Sequence, residues 1–222
     1  MLVTLVPLFD ENLTVKAYSL FAQKKNYFLS PNLLGTGFHD GAAYVDGLEV
    51  ISSMGIETLS EDKEVFVPVS NISIYSDINA QCEAPHDRIV LLIDNTILPQ
   101  ESYINRLKEL RADGFRFAVR KLEVSQFEDY REILSMADYI FLNFKKIDIS
   151  KAKIYFSKVY PNIKLCAVNI DDMEIFEKLK AGLAKTREAL MNSTSAMYTG
   201  DVEIDDDFYD ELEESLILAD LG

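Results

Sequence analysis

The sequence predicts an α/β fold built on a parallel sheet, either open or closed into a (β/α) barrel. Three observations support this prediction. Residues 89–93 (IVLLI) form a continuous apolar run without polar alternation, which is typical of a strand buried on both faces. A helical pattern and a second apolar run follow within residues 99–119. Similar runs recur at intervals of about 25 residues, and such alternation favours parallel strands joined by crossover helices.

The segment 88–122 carries the start and stop signals of one strand–helix–strand unit. Pro99 suits the first turn of a helix, where a missing N–H does no harm. Apolar residues from Ile104 to Leu110 recur at helical spacing, and Gly114 stands where a left-handed C-cap is needed. A right-handed β-α-β crossover is therefore predicted here.

The other segments continue this pattern on both sides of that unit. Residues 2–8 and 14–21 are predicted to form a hairpin, because a turn cluster separates two strand-like runs. Pro68 makes the strand near 64–69 awkward for a central position in a sheet. We expect five parallel strands, near 64–69, 89–94, 115–120, 138–143 and 163–168. Besides the helix after Pro99, helices are expected near 42–55, 72–81, 127–134, 149–156 and 171–183.

Charge is unevenly distributed along the chain. The formal net charge is −15, and residues 201–222 contain ten acidic residues and no basic one. Without a basic stripe to neutralise phosphates, binding to nucleic acid is not expected. We predict a barrel domain over 1–200 and an acidic amphipathic tail over 201–222, which we expect to form a helix docked on the same chain. Docking on a second subunit is the alternative.

Several classes of protein do not fit the sequence. No apolar run approaches the roughly 20 residues of a membrane span, and the first residues lack the basic start of a signal peptide. Cys82 and Cys166 have no metal or redox spacing, so we expect reduced, inert thiols in a cytoplasmic protein. His39 and His86 lie in predicted loops without partners at zinc-site spacing.

Candidate functional residues lie where the predicted strands end, because barrel proteins place reactive groups at the carboxyl ends of their strands. The polar and charged candidates for binding a ligand there are Ser19, Asp94, Arg120, Lys121, Asn143, Asn169 and Asp171. A site for two metal ions needs several converging carboxylates. Only Asp94 and Asp171 qualify, and the basic pair Arg120 and Lys121 would repel a cation.

The order of segments resembles the EAL-domain family of bacterial proteins, which hydrolyse cyclic di-GMP on a TIM-like barrel with Mg2+ or Mn2+. The version found beside HDOD modules is the more similar one. The resemblance covers residues 5–182 and is carried by segments 7–10, 15–21, 66–70, 90–95, 114–122, 137–144 and 165–171. It implies an EAL-type barrel that is modified or incomplete at the last strand, because the family's final strand is not recognisable unless residues 197–200 are its remnant.

The resemblance covers the order of strands and helices in that family but not its metal-binding and other functional residues. The family's signature Glu corresponds to Ser19, its metal-binding Asn to Pro68 and its metal-binding Glu to Leu92. Its paired Asp residues correspond to Arg120 and Lys121. The other functional positions hold Gln23, Phe141, Asn143, Val168, Asn169 and Asp171. The resemblance thus implies that the metal ligands are lost, so that no catalytic residue, metal or cofactor is expected.

Three readings of function remain open. The first is a catalytically inactive EAL-like module that binds or regulates in bacterial signalling, with a protein partner or self-association and with doubtful affinity for cyclic di-GMP. The basic pair Arg120 and Lys121 either attracts an anionic ligand or only satisfies backbone groups or acidic residues of the tail. The second is an enzyme with chemistry relocated to Asp94, Lys121, Asp171 or His39, or a residual phosphodiesterase. The third is an unrelated α/β domain.

Overall fold

The computed structural model of the chain describes residues 2–23, 45–170 and 177. The chain divides into two units, a first unit of residues 1–120 and a second unit of residues 121–222. Both units alternate strands and helices, so the α/β prediction is confirmed.

The first unit contains five strands in the order β1-β2-β3-β4-β5. They are β1 (Leu2–Phe9), β2 (Val15–Gln23), β3 (Glu64–Pro68), β4 (Ile89–Ile93) and β5 (Arg116–Val119). The β1 and β2 strands form the predicted antiparallel hairpin, whereas β2 to β5 pair in parallel. Every residue of β4 is buried, as its continuous apolar sequence predicts.

In the described residues of the first unit, four helices accompany these strands: α1 (Asp46–Met54), α2 (Ile56–Ser60), α3 (Ile78–Gln81) and α4 (Glu101–Ala112). The α4 helix buries Ile104, Leu107 and Leu110, the stripe predicted from spacing. The helix ends at Ala112, and Gly114, two residues further on, has a φ of 96°. The Gly114 N–H donates to the Arg111 carbonyl and the Phe115 N–H to the Leu110 carbonyl, a pairing that satisfies the last carbonyls of the helix.

Pro68 occupies a central strand, contrary to the expectation that it would be awkward there. The β2–β3 ladder ends at the pair Ser19 and Phe66, two residues before the proline. The Val69 N–H donates to the Leu92 carbonyl on β4, so the nitrogen of Pro68 points to the opposite side, toward β2. No ladder hydrogen bond is required there, and the missing N–H of the proline is tolerated.

The single helix predicted over 72–81 is wrong. The segment forms a 3-10 turn at Ser73–Tyr75 and then the short α3, which Asp77 caps by accepting from the Ala80 N–H. The Ser70 and Ser73 side chains bond to nearby backbone and to each other. Such side chains offer the backbone an alternative to helical bonds, and Ile72 is left 60% exposed.

The second unit contains the parallel strands β6 (Tyr139–Asn143) and β7 (Lys164–Val168), which pair residue by residue from Tyr139 and Lys164 onward. Within the described residues of this unit, the helices are α5 (Arg131–Met136) and α6 (Ile149–Val159). Together with β3, β4 and β5, these strands confirm the five predicted positions. The α6 helix begins after Asp148, whose carboxylate accepts from the backbone N–H groups of Ser150 and Lys151.

Several predictions fall on residues outside those that the structure describes. They concern His39, Asp171, most of the helix over 171–183, the last barrel strand and the acidic tail over 201–222. The division into domains 1–200 and 201–222 therefore stays a prediction. None of the helices within the described ranges has both the length and the apolar composition that crossing a membrane requires.

Candidate functional site

The packing of α1 defines the two faces of the sheet in the first unit. A Cβ atom placed on Gly47 of α1 would lie 2.5 Å from the Val67 side chain and 3.6 Å from that of Leu20. Leu20 and Val67 therefore face the helix. Since side chains alternate along a strand, Ser19 on β2 and Phe66 on β3 lie on the opposite face, here called the inner face.

The strand register extends this face to the carboxyl ends of β3, β4 and β5. Pro68 is paired with Leu92, and Leu92 with Ala118. These three residues form one row across the inner face, called the apolar row below. Asp94 and Arg120 lie two residues beyond Leu92 and Ala118, and so belong to the same face at its carboxyl edge.

Asp94 is held tightly at this edge. It is 8% exposed, and its Oδ1 accepts from the Thr96 backbone N–H at 3.1 Å and from the Thr96 hydroxyl at 2.7 Å. The Asp94 Oδ2 lies 3.7 Å from Nη2 of Arg120. The structure thus brings together two of the predicted site residues, one acidic and one basic, as an ion pair.

Ser19 lies on β2, on the same inner face but farther from the carboxyl edge. It is buried, and its hydroxyl has no hydrogen-bond partner in the described part of the chain. The register places it beside Val6 on β1 and Phe66 on β3, both without polar side-chain atoms. Ser19 therefore supplies one unused hydroxyl in apolar surroundings, where an unpaired polar group is costly.

In the second unit, Asn143 and Asn169 come together where β6 and β7 end. The Asn169 side-chain amide donates to Oδ1 of Asn143 at 2.9 Å, and the Lys145 backbone N–H donates to the same oxygen. Asn169 and Lys121 both have a positive φ, 64° and 60° respectively. The oxygen of Asn143 is thus already engaged by two donors, while Asp171 lies outside the described residues.

Cys166 on β7 pairs with Phe141 in the register of the second unit. Burial raises the pKa of its thiol to about 12. Burial also raises the pKa of the Cys82 thiol. Neither sulfur is in a disulfide. Because the thiolate is the reactive form, both thiols are poor nucleophiles near neutral pH.

Sequence reasoning missed two polar arrangements on the first unit. Thr96 was not identified as the partner of Asp94, although Asp followed two residues later by Thr is the pattern of a local side-chain turn. The ion pair between Glu64 on β3 and Arg116 on β5 was also missed. No local signal reports it, because the two residues are 52 positions apart and meet only through the register.

The inner face of the first unit does not fit a site for divalent cations. Mg2+ and Mn2+ prefer oxygen ligands, whereas the apolar row of Pro68, Leu92 and Ala118 offers no side-chain oxygen. At the carboxyl edge, Asp94 faces the guanidinium of Arg120. At the amino end of the same face, Glu64 is paired with Arg116. Within the described ranges, no three His, Cys, Asp or Glu side chains are grouped so that they could hold a metal ion.

Comparisons with known proteins connect the chain to two different groups. No family model matches the sequence. The signal recognition particle receptor FtsY of Bacillus subtilis is 44% identical over 48 residues, which are 22% of this chain and 15% of FtsY. That match is too short to assign a family.

Solved structures of EAL proteins match a much larger part of the chain. The cAMP-bound EAL enzyme Bd1971 has a TM-score of 0.55 at 13% identity, over 81% of this chain and 58% of that one. The phosphodiesterase PaMucR in complex with c-di-GMP has a TM-score of 0.57 at 12% identity, over 82% and 85% of the chains. A standalone EAL protein of Vibrio cholerae O395 has a TM-score of 0.53 at 12% identity, over 81% and 85%.

The comparisons leave part of the longer proteins without a counterpart. The chain spans 58% of the length of Bd1971 and 15% of that of FtsY. At 12–14% identity the structural likeness concerns the fold and not the chemistry. It shows that this chain has an EAL-like α/β fold, consistent with a TIM-like barrel of the EAL type.

Proposed function

We propose that this chain is a non-catalytic EAL-like domain, which serves as a binding or regulatory module in bacterial signalling. The observation that carries the proposal is the apolar row of Pro68, Leu92 and Ala118 at the carboxyl ends of three neighbouring strands. The EAL resemblance assigns metal-binding residues to the positions of Pro68 and Leu92. A proline ring and a leucine side chain have no lone pair to give to a cation.

The charged groups at the same edge support the proposal. The position of a metal-binding Asp holds Arg120, and its guanidinium faces Asp94 at 3.7 Å. A dication near that guanidinium would meet like charge, and a cation would have to compete with Arg120 for the carboxylate. Without a metal ion there is no Lewis acid to polarise the phosphodiester and no activated water to attack it.

The cellular setting follows from the same resemblance. We place the chain in the bacterial cytoplasm, where it acts on a protein partner or on a second copy of itself. The structural neighbours PaMucR and the Vibrio cholerae protein carry c-di-GMP in their solved forms. That nucleotide is therefore the first ligand to test.

The decisive experiment measures turnover of cyclic di-GMP by the full chain with Mg2+ and, separately, with Mn2+. An active EAL phosphodiesterase serves as the positive control. We expect no product above the buffer control. Metal-dependent turnover would overturn the proposal, and its loss in Asp94→Asn would then locate relocated chemistry at that carboxylate.

A further inference from the structure

Arg120 is fixed by the sheet at its backbone. Its N–H donates to the Ile93 carbonyl at 2.8 Å and extends the ladder between β4 and β5 by one bond. The side chain begins on the inner face directly beyond Ala118, and it is 23% exposed. The guanidinium is thus anchored at the carboxyl edge of the sheet, partly covered and partly open.

The hydrogen-bonding capacity of this guanidinium is unused. An arginine side chain carries five N–H donors. In the part of the chain that the structure describes, none of those of Arg120 has a recorded acceptor at hydrogen-bond distance, and the buried Nε is among the unpaired atoms. Arg106 shows the usual case, since it donates to the carbonyls of Ile74 and Ser76 and to the Glu109 carboxylate.

Asp94 supplies negative charge to Arg120 but not a close acceptor. The separation of 3.7 Å exceeds hydrogen-bond distance, and Oδ1 of Asp94 is taken by both donors of Thr96. The carboxylate therefore orients the guanidinium while leaving its donors available. Leaving partly covered N–H groups without an acceptor costs free energy. In a site of this kind, water or an anion therefore accepts their hydrogen bonds.

The surroundings favour an anion over water. Leu92 is 1% exposed and Ala118 is fully buried. Because Arg120 follows Ala118 by two residues on the same face, its side chain begins beside these apolar residues. Charge-assisted hydrogen bonds are stronger where solvent is partly excluded. The planar fork of arginine also matches the oxygens of a phosphate group in pairs.

We propose that Arg120 is a binding site for a phosphate group, at the edge where the resemblance places a cation. This inference rests on the proposed non-catalytic function, because it replaces metal-held phosphate by phosphate held directly on a guanidinium. Asp94 acts as a positioning residue, and its negative charge limits the affinity. The ligand is a small molecule bearing a phosphate monoester, a phosphodiester or free phosphate.

The test titrates the full chain with inorganic phosphate, with pyrophosphate, with cyclic di-GMP and, as a control anion, with acetate. All titrations contain a chelator and are made at constant ionic strength. Binding is followed by calorimetry and by the shift of the thermal midpoint. Arg120→Met should weaken binding about tenfold or more, because charge-assisted hydrogen bonds are lost. Arg120→Lys, which keeps the charge but loses the fork, should fall between Arg120→Met and the wild type.

Two further variants make the assignment specific. Asp94→Asn keeps an oxygen for Thr96 but removes the competing charge, so it should tighten phosphate binding several-fold. Arg131→Met is the matched control, because the Arg131 side chain is 70% exposed and, among the residues that the structure describes, forms its ion pair with the exposed Glu128. It should leave binding unchanged.

The outcomes separate the possible explanations. No binding of either anion, or equal binding by the wild type and Arg120→Met, overturns the inference. An equal effect of acetate would show an unspecific carboxylate or salt effect and would also overturn it. Tighter binding of cyclic di-GMP than of phosphate, lost in Arg120→Met, supports the site and identifies a phosphodiester source. Since no step requires turnover, failure here is distinct from failure of the proposed function.

Discussion

Replacing Gly47 by alanine tests which face of the sheet is the inner face. Gly47 lies in the first turn of α1, and a Cβ atom there would be 2.5 Å from Cγ1 of Val67. Carbon atoms prefer separations of about 3.5–4.0 Å, so one of the two elements must move by about 1 Å. Val67 is fully buried and has no room to withdraw.

Two opposing contributions determine the stability of Gly47→Ala. Inserting a methyl group into a well-packed core costs about 1–3 kcal/mol. Alanine favours a helix over glycine by about 1 kcal/mol in a helix interior, and by less in the first turn. We therefore expect Gly47→Ala to lower the free energy of unfolding by about 1–2 kcal/mol.

Urea unfolding followed by far-UV circular dichroism measures this change, since the chain contains no tryptophan. Ser52→Ala on the exposed side of α1 is the matched control and should be neutral or slightly stabilising. Adding Val67→Ala removes the clashing methyl groups, so the double variant should be more stable than the sum of the single effects predicts, by about 1 kcal/mol.

A Gly47→Ala variant as stable as the wild type would refute this reasoning. The α1 helix would then not lie against Val67, and the assignment of Phe66 and Pro68 to the inner face would lose its basis. The location of the apolar row, and with it the proposed function, depends on that assignment.

Two further predictions concern the thiols and the end of α4. At pH 8 the native Cys166 thiol should react with iodoacetamide about a thousand-fold more slowly than in urea, because a pKa of about 12 instead of 9.0 depletes the thiolate. Burial should also slow the reaction of Cys82, whose pKa is raised. The Cys166 rate should rise as the pH approaches 12, and equal native and unfolded rates would contradict the burial. Gly114→Ala should cost about 1–2 kcal/mol, because its φ of 96° disfavours a side chain although His86 leaves room for one. Gly114→Asn should cost less, and an Ala variant as stable as the wild type would argue against this backbone conformation.

Much of the framework could be predicted from local patterns. The run at β4 has no polar residue, and only a strand covered on both faces accommodates such a sequence. The stripe on α4 and Gly114 likewise report a helix and its end without knowledge of the fold. These signals lie within about one or two helical turns, where spacing alone is informative.

The wrong helix over 72–81 shows where local patterns fail. A single helix was expected there, but Ile72 is exposed and the nearby serines bond to the backbone instead. Apolar spacing does not report such competition between side chains and main chain. The single-helix prediction therefore overlooked the break at Ser76 and Asp77.

The sequence predicted where the residues of the candidate site lie along the strands, but it did not predict which of them form an ion pair. Asp94 and Arg120 could be assigned to strand ends, because each directly follows an apolar run. Their ion pair depends on the register of β4 against β5, in which Ile93 is paired with Val119. A shift of one residue would place the two side chains on different faces, and no local signal determines that register.

The apolar row also makes a cation site difficult to install by stepwise mutation. Leu92→Glu alone would bury a carboxylate beside Pro68 and Ala118 before any other ligand existed to bring in a metal ion, and an unpaired buried charge is strongly destabilising. Replacing Arg120 alone would remove the guanidinium that faces Asp94. Each single step lowers stability without giving metal affinity. A designer who wants a hydrolase on this scaffold must therefore introduce several oxygen ligands together.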